Sequence, residues 1–144
     1  MVTLTQQAET VASKRYYLKD ESGEPEENAN TLLKRVAKAI ASSEKLYGKT
    51  DADTQLTEKE FYDMMSSLNF IPNSPTLMNA GTEQGTLSAC FVLPLEDSME
   101  DIMKAAHDIA MVQKFGGGTG FALSKLRPKG DKIKTTHGIA CGPI

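Results

Sequence analysis

The segment from Asn69 to Gly81, NFIPNSPTLMNAG, constrains the fold of this chain more than any other. Its two prolines remove backbone donors and its Asn, Ser and Gly residues favour turns, so no regular helix is expected there. The apolar pattern differs on its two sides. Upstream, apolar positions recur every three or four residues. Thr3 to Leu18 predicts a first helix of moderate amphipathicity, and Thr31 to Tyr47 a stronger one, with Leu33, Val36, Ala37, Ile40 and Ala41 on one face and Gly48 placed to end it. A third helix is expected from Thr57, where Thr57 and Glu60 have the capping-box spacing and Phe61, Met64, Met65 and Leu68 follow at helical intervals. Three such helices make a packing unit, and their aromatic and methionine residues read as core rather than as cofactor contacts.

Downstream, Thr86 to Leu95, TLSACFVLPL, is a short apolar run of the kind expected for a strand buried on both faces. Asp97 and Ser98 are N-cap candidates for a fourth helix carrying Met99, Ile102, Met103, Ala106, Ile109 and Ala110, with Gly116 as its cap at the other end. Gly120 to Leu126 predicts a second strand, and Gly138 to Ile144 opens a possible third element. Strand, helix and strand in that order define an α/β unit. The expected division is a helical domain over residues 1–70 and an α/β domain over residues 71–144.

Charge separates along the chain more than the net value of -3 suggests. Asp20 to Asn30 is a polar connector with five acids and no base, whereas Lys114 to Lys134 holds six bases against the single acid Asp131, a stretch suited to meeting an anion. No window approaches the roughly 18 apolar residues of a membrane span, and the first twenty residues lack the basic and apolar regions of a secretory signal. Two cysteines, Cys90 and Cys141, are too few for a disulfide scaffold. A cytoplasmic protein with free thiols is expected, which leaves room for a catalytic one.

The run Lys114 to Asp131, KFGGGTGFALSKLRPKGD, invites a phosphate-loop reading that its order refutes. No glycine is followed by Lys-Ser or Lys-Thr, as a Walker A loop requires, and the Gly116-x-Gly118 pair is followed by Phe121 where a dinucleotide fingerprint has glycine. These glycines also follow a helix instead of preceding one, so the helix dipole there disfavours an anion. A tight turn in which glycine adopts positive φ is the remaining reading.

Five segments, RYYLKD, FIPNSPTLMNAG, LSACFVLPLEDSMEDI, KFGGGTGFALSKLRPKGD and THGIACGPI, together resemble the catalytic subunit of ribonucleotide reductase, and most closely its adenosylcobalamin-dependent (class II) branch. The resemblance runs from about Lys14 to Ile144. It implies an N-terminal helical domain followed by the first strands and the dimer-interface helix of a ten-stranded α/β barrel. It further implies reduction of the ribonucleotide 2′-hydroxyl through a protein thiyl radical, with Cys90 as one of two redox cysteines. Ser74 then occupies the position of a hydroxyl residue that contacts the substrate nucleotide, with Ala89 beside Cys90 on the substrate face. Asp97 matches an acid at the sugar of a deoxynucleoside triphosphate effector and Arg127 an arginine at its phosphates. Ser98, Lys132 and Lys134 belong to the same effector surface.

The implied cofactor is adenosylcobalamin, with most of its site outside these residues. The implied partners are a ribonucleotide, a dNTP or ATP effector, a thioredoxin-like reductant, the remaining portion of the reductase and a second copy of the chain in a homodimer; neither a membrane nor a nucleic acid is among them. Cys141 is not assigned as the redox partner of Cys90, because many class II relatives carry Ser there. The chain is expected to be an N-terminal portion, inactive without the downstream barrel. Two other readings stay open: a non-catalytic effector-binding and dimerisation module of a split reductase, which would have no need of Cys90, and a nucleic-acid binder using Lys125 to Lys134. Phe121 as the only Phe, Tyr or Trp between Gly116 and Ile144 counts against the second, since single-strand binding uses interleaved aromatics.

Overall fold

The computed structural model describes residues 2–83, 85–134 and 136–144, and the chain divides into two compact units, Met1–Ser88 and Ala89–Ile144. In the first unit, helix α1 (Gln6–Arg15) is capped by the Thr5 side chain, which accepts from the Ala8 amide at 3.2 Å. Helix α2 (Ala29–Ala41) starts from a reciprocal box between Asn28 and Thr31. Its apolar face is the centre of the core, with Leu32, Leu33, Val36 and Ala37 buried against Met65, Leu77 and Ala80 and flanked by Phe61 and Tyr62. Each large apolar side chain buried this way contributes roughly 1.5–3 kcal/mol.

The helical periodicity predicted to run to Tyr47 instead tightens into a 3-10 helix over Ser42–Tyr47, closed by Gly48 at φ +77°. The hydroxyls of Ser42 and Ser43 bond back to the carbonyls of Ala39 and Ile40 at 2.6 and 2.7 Å, the local competition by which serine weakens a continuing helix. Helix α3 (Asp51–Ser66) begins well before the expected Thr57. Thr50 and Asp53 form the working capping box, with two acids, Asp51 and Asp53, in a first turn whose dipole favours them. Thr57 and Glu60 have the same spacing but lie inside the helix.

The segment expected to hold no regular helix contains a short one, α4 (Ser74–Asn79). Pro75 is tolerated because it sits in the first turn, where amides have no helical acceptor, and Asn73 caps the helix by accepting from the Thr76 amide at 3.0 Å. From there the chain is tied down to the end of the unit. The Thr76 hydroxyl donates to the Leu87 carbonyl at 2.9 Å and the Asn79 side-chain amide to the Thr86 carbonyl at 2.7 Å.

The second unit has the expected strand, helix and strand. Strand β1 (Cys90–Val92) pairs in parallel with β2 (Gly118–Gly120), in the register Cys90 to Gly118, Phe91 to Thr119 and Val92 to Gly120. Parallel neighbours need a crossover, and helix α5 (Met99–Lys114) supplies it. Both strands are shorter than predicted and neither is buried on both faces: Val92 is 89% exposed, and Cys90 is exposed too. The two strands form an open pair and not a closed barrel.

The glycine run is shared between turn and strand. Gly116 takes φ +80° just past α5, and the amides of Gly116 and Gly117 satisfy the last carbonyls, Gln113 at 2.9 Å and Val112 at 3.1 Å. Gly117 has no space for a side chain, since a Cβ there would lie 2.6 Å from Val112 Cγ1 and 2.9 Å from Phe91 Cε2. Gly118 already belongs to β2, so the predicted strand over Gly120 to Leu126 is displaced towards the N-terminus. The expected third element is reduced to an antiparallel bridge between Lys132 and Ile139.

Candidate functional site

Ser74 is the first residue of α4, half-buried, with its Oγ 3.1 Å from the Tyr16 hydroxyl. The Tyr16 backbone is held in turn by Arg35, whose Nη2 reaches the Tyr16 carbonyl at 3.3 Å. The same guanidinium donates to the carbonyls of Leu77 (3.2 Å) and Ala80 (2.5 Å) at the far end of α4, and to both carboxylate oxygens of Glu27 at 2.7 and 3.0 Å. One cation therefore secures α1, α4 and the connector before α2. Nothing in the sequence pattern singles out Arg35 or Tyr16 for this, because their partners are distant in the chain.

In the second unit Ala89 and Cys90 lead into and begin β1. The Ala89 carbonyl accepts from the Gly118 amide at 2.7 Å, and Cys90 stands opposite Gly118, which presents no side chain. The Cys90 thiol is free and exposed on a hydrogen-bonded strand. Cys141, also free and exposed, directs its sulfur at the Gly142 carbonyl, 3.4 Å away.

Asp97 and Arg127, thirty residues apart, are brought together. Arg127 Nε donates to Asp97 Oδ2 at 2.6 Å and Nη2 approaches the Asp97 carbonyl at 3.4 Å. A second pair, Lys125 with Glu96, runs alongside and was not anticipated from the sequence. Of the two N-cap candidates Ser98 is the one used: its Oγ accepts from the Asp101 amide at 3.0 Å and donates to the Asp101 carboxylate at 2.6 Å. That leaves the Asp97 carboxylate to the arginine.

Lys132 and Lys134 line an open cleft with Ile133, His137, Gly138 and Ile139. His137 is held in the left-handed region at φ +56°, uncommon for a residue with a side chain. Thr135, within this loop, lies outside the described residues. Among the described residues no three His, Cys, Asp or Glu side chains gather as a metal-ligand set, and no helix is long and apolar enough to cross a membrane.

Residues 2–85 match the family described as ribonucleotide reductase, all-alpha domain, and residues 88–144 the family described as ribonucleotide reductase, barrel domain. A vitamin B12-dependent ribonucleoside-diphosphate reductase of Mycobacterium tuberculosis is 44% identical over 137 residues, covering 95% of this chain and 20% of the relative. A relative of the same name from Thermoplasma acidophilum is 38% identical, covering 98% of this chain and 25% of its own length. Large chain 2 of the Saccharomyces cerevisiae ribonucleoside-diphosphate reductase is 35% identical over 90% of this chain and 14% of its own. The chain thus spans about a fifth to a quarter of the length of these vitamin B12-dependent relatives.

Proposed function

The chain belongs to the ribonucleotide reductase large-subunit family, carrying its all-alpha domain and the start of its barrel domain, and from that premise we propose that it serves a vitamin B12-dependent reductase that converts ribonucleotides to deoxyribonucleotides. The observation that carries the reading is Cys90: an accessible free thiol on the first strand of the barrel-domain match. A module that only bound effectors would have no use for it.

The reaction needs two electrons and two protons. The substrate C2′–O bond breaks, the 2′-oxygen leaves as water, a C2′–H bond forms, and two thiols become one disulfide. Cys90 supplies one thiol, and a cysteine of a later barrel segment supplies the other; a dithiol reductant of the thioredoxin type then restores both. Adenosylcobalamin, when bound, would supply the radical chemistry that begins the reaction. None of the residues described here is assigned to hold it. What this chain contributes is a thiol fixed by strand pairing at Ala89 and Cys90, and a serine hydroxyl at Ser74 that contacts the substrate nucleotide.

We further propose that Asp97, Ser98, Arg127, Lys132 and Lys134 belong to the site of a nucleoside triphosphate effector. Arg127 is paired to Asp97, and magnitudes decide whether that pair blocks the site. Both side chains are about one-third exposed, 34% and 32%, so the pair is worth about 1 kcal/mol at most. Charge-assisted bonds to a phosphate are about twice as strong as neutral ones, and the planar guanidinium can make two of them to one phosphate. A surface pair this weak does not bar the site: a phosphate can take Arg127 over, which leaves the Asp97 carboxylate for the effector sugar.

The reading is tested by combining the chain with the rest of its barrel, adenosylcobalamin, a dithiol and a ribonucleotide. Deoxynucleotide formation is expected, and Cys90→Ser is expected to reduce it to background. Undiminished turnover by that variant would remove Cys90 from the chemistry.

A further inference from the structure

We infer that Tyr16 is a positioning residue for the substrate-contacting hydroxyl of Ser74, an inference that rests on the role proposed for Ser74 above. A serine hydroxyl is a rotor with one proton and two acceptor lone pairs, so its direction is set by its neighbours. Here the neighbour is the Tyr16 phenol, 3.1 Å from Ser74 Oγ in a partly buried setting, with geometry that permits either to donate. The phenol is the better donor of the two. With Tyr16 donating, a Ser74 lone pair is occupied and the serine proton is directed away from Tyr16, towards a ligand acceptor.

The contact is built rather than incidental, because both partners are held by one rigid hub. Arg35 grips the Tyr16 carbonyl and, at 3.2 and 2.5 Å, the carbonyls of Leu77 and Ala80 that close the helix on which Ser74 is the first residue. Its own position is fixed by the two-pronged pair with Glu27, and the two side chains are only 12% and 9% exposed. Tyr16 and α4 therefore cannot drift apart without breaking a hydrogen bond from this fixed guanidinium to the Tyr16 carbonyl or to the carbonyls of α4.

The test is a double-mutant cycle in the assembled reductase, with kcat/KM for the ribonucleotide as the readout and the thermal midpoint of each variant as a check on folding. Tyr16→Phe is expected to keep its midpoint and lose about three- to tenfold in kcat/KM, the range of one neutral hydrogen bond. Ser74→Ala is expected to lose about tenfold or more, and Tyr16→Phe added to Ser74→Ala is expected to lose nothing further. In a Ser74→Thr background, where a hydroxyl remains, the Tyr16→Phe loss should return. Equal losses from Tyr16→Phe in the wild-type and Ser74→Ala backgrounds would show that Tyr16 acts elsewhere, and overturn the inference while leaving Ser74 in its role. No loss from Ser74→Ala alone would remove Ser74 from substrate contact, and the positioning role would fall with it.

Discussion

Burial and the Glu9 carboxylate, which accepts the Tyr17 hydroxyl at 2.8 Å, both oppose a phenolate at Tyr17. Its pKa is therefore raised above tyrosine's ordinary 10.0, with desolvation the larger cause and the bond to Glu9 next. A folded-state pKa above the unfolded one means stability that is fully present below pH 10.0 and lost as the pH climbs towards the folded value. Unfolding of the chain followed against pH should show stability falling above pH 10, with the fall reduced in Tyr17→Phe; the same slope in both proteins would place the alkaline sensitivity on another group. At this scale the sequence was informative where a residue acts through its own neighbours. Ser98 as an N-cap was legible because its partner Asp101 is three residues away. The pairing of Tyr16 with Ser74 and the grip of Arg35 on Ala80 were not, since those partners lie 58 and 45 residues apart and no local pattern encodes them.

Among the elements, the turn from α5 into β2 has the sharpest steric requirement. Gly117 is closed in by Val112, a β-branched residue stiff in a helix, and by the Phe91 ring, so Gly117→Ala forces a shift expected to cost about 1–3 kcal/mol. Gly120, with nothing within 4 Å of a built Cβ, provides the control, and Gly120→Ala should change stability by no more than about 0.5 kcal/mol. Urea midpoints measure both, and equal values for the two variants would mean that the clash relaxes without cost. Helix α5 was legible because a long 3.6-residue period with flanking caps is a redundant signal, whereas for α2 the period was legible and its end at Ala41 was not. The start of α3 was misread because two capping boxes compete and spacing alone does not rank them; the acids of the first turn do. Helix α4 was missed because prolines were read as breakers when Pro75 sits where its lost donor is harmless. The strands came out three residues long because strand length depends on partners that a local apolar run does not specify.

For the molecule as a whole, the family was legible from five motifs in order, and both domain matches agree with it. The roles proposed for Cys90 and for the effector residues rest on that resemblance rather than on local chemistry: a single thiol on a short strand has no signature of its own. The proposed redox role requires that the Cys90 thiol be consumed when substrate is reduced. It is tested most directly by letting the assembled reductase turn over with adenosylcobalamin and a ribonucleotide but no external reductant, then quenching with a thiol-alkylating agent and mapping cysteines by mass spectrometry. Cys90 should be found in a disulfide in proportion to the deoxynucleotide formed. Deoxynucleotide produced while Cys90 remains fully alkylated as a free thiol would contradict the account.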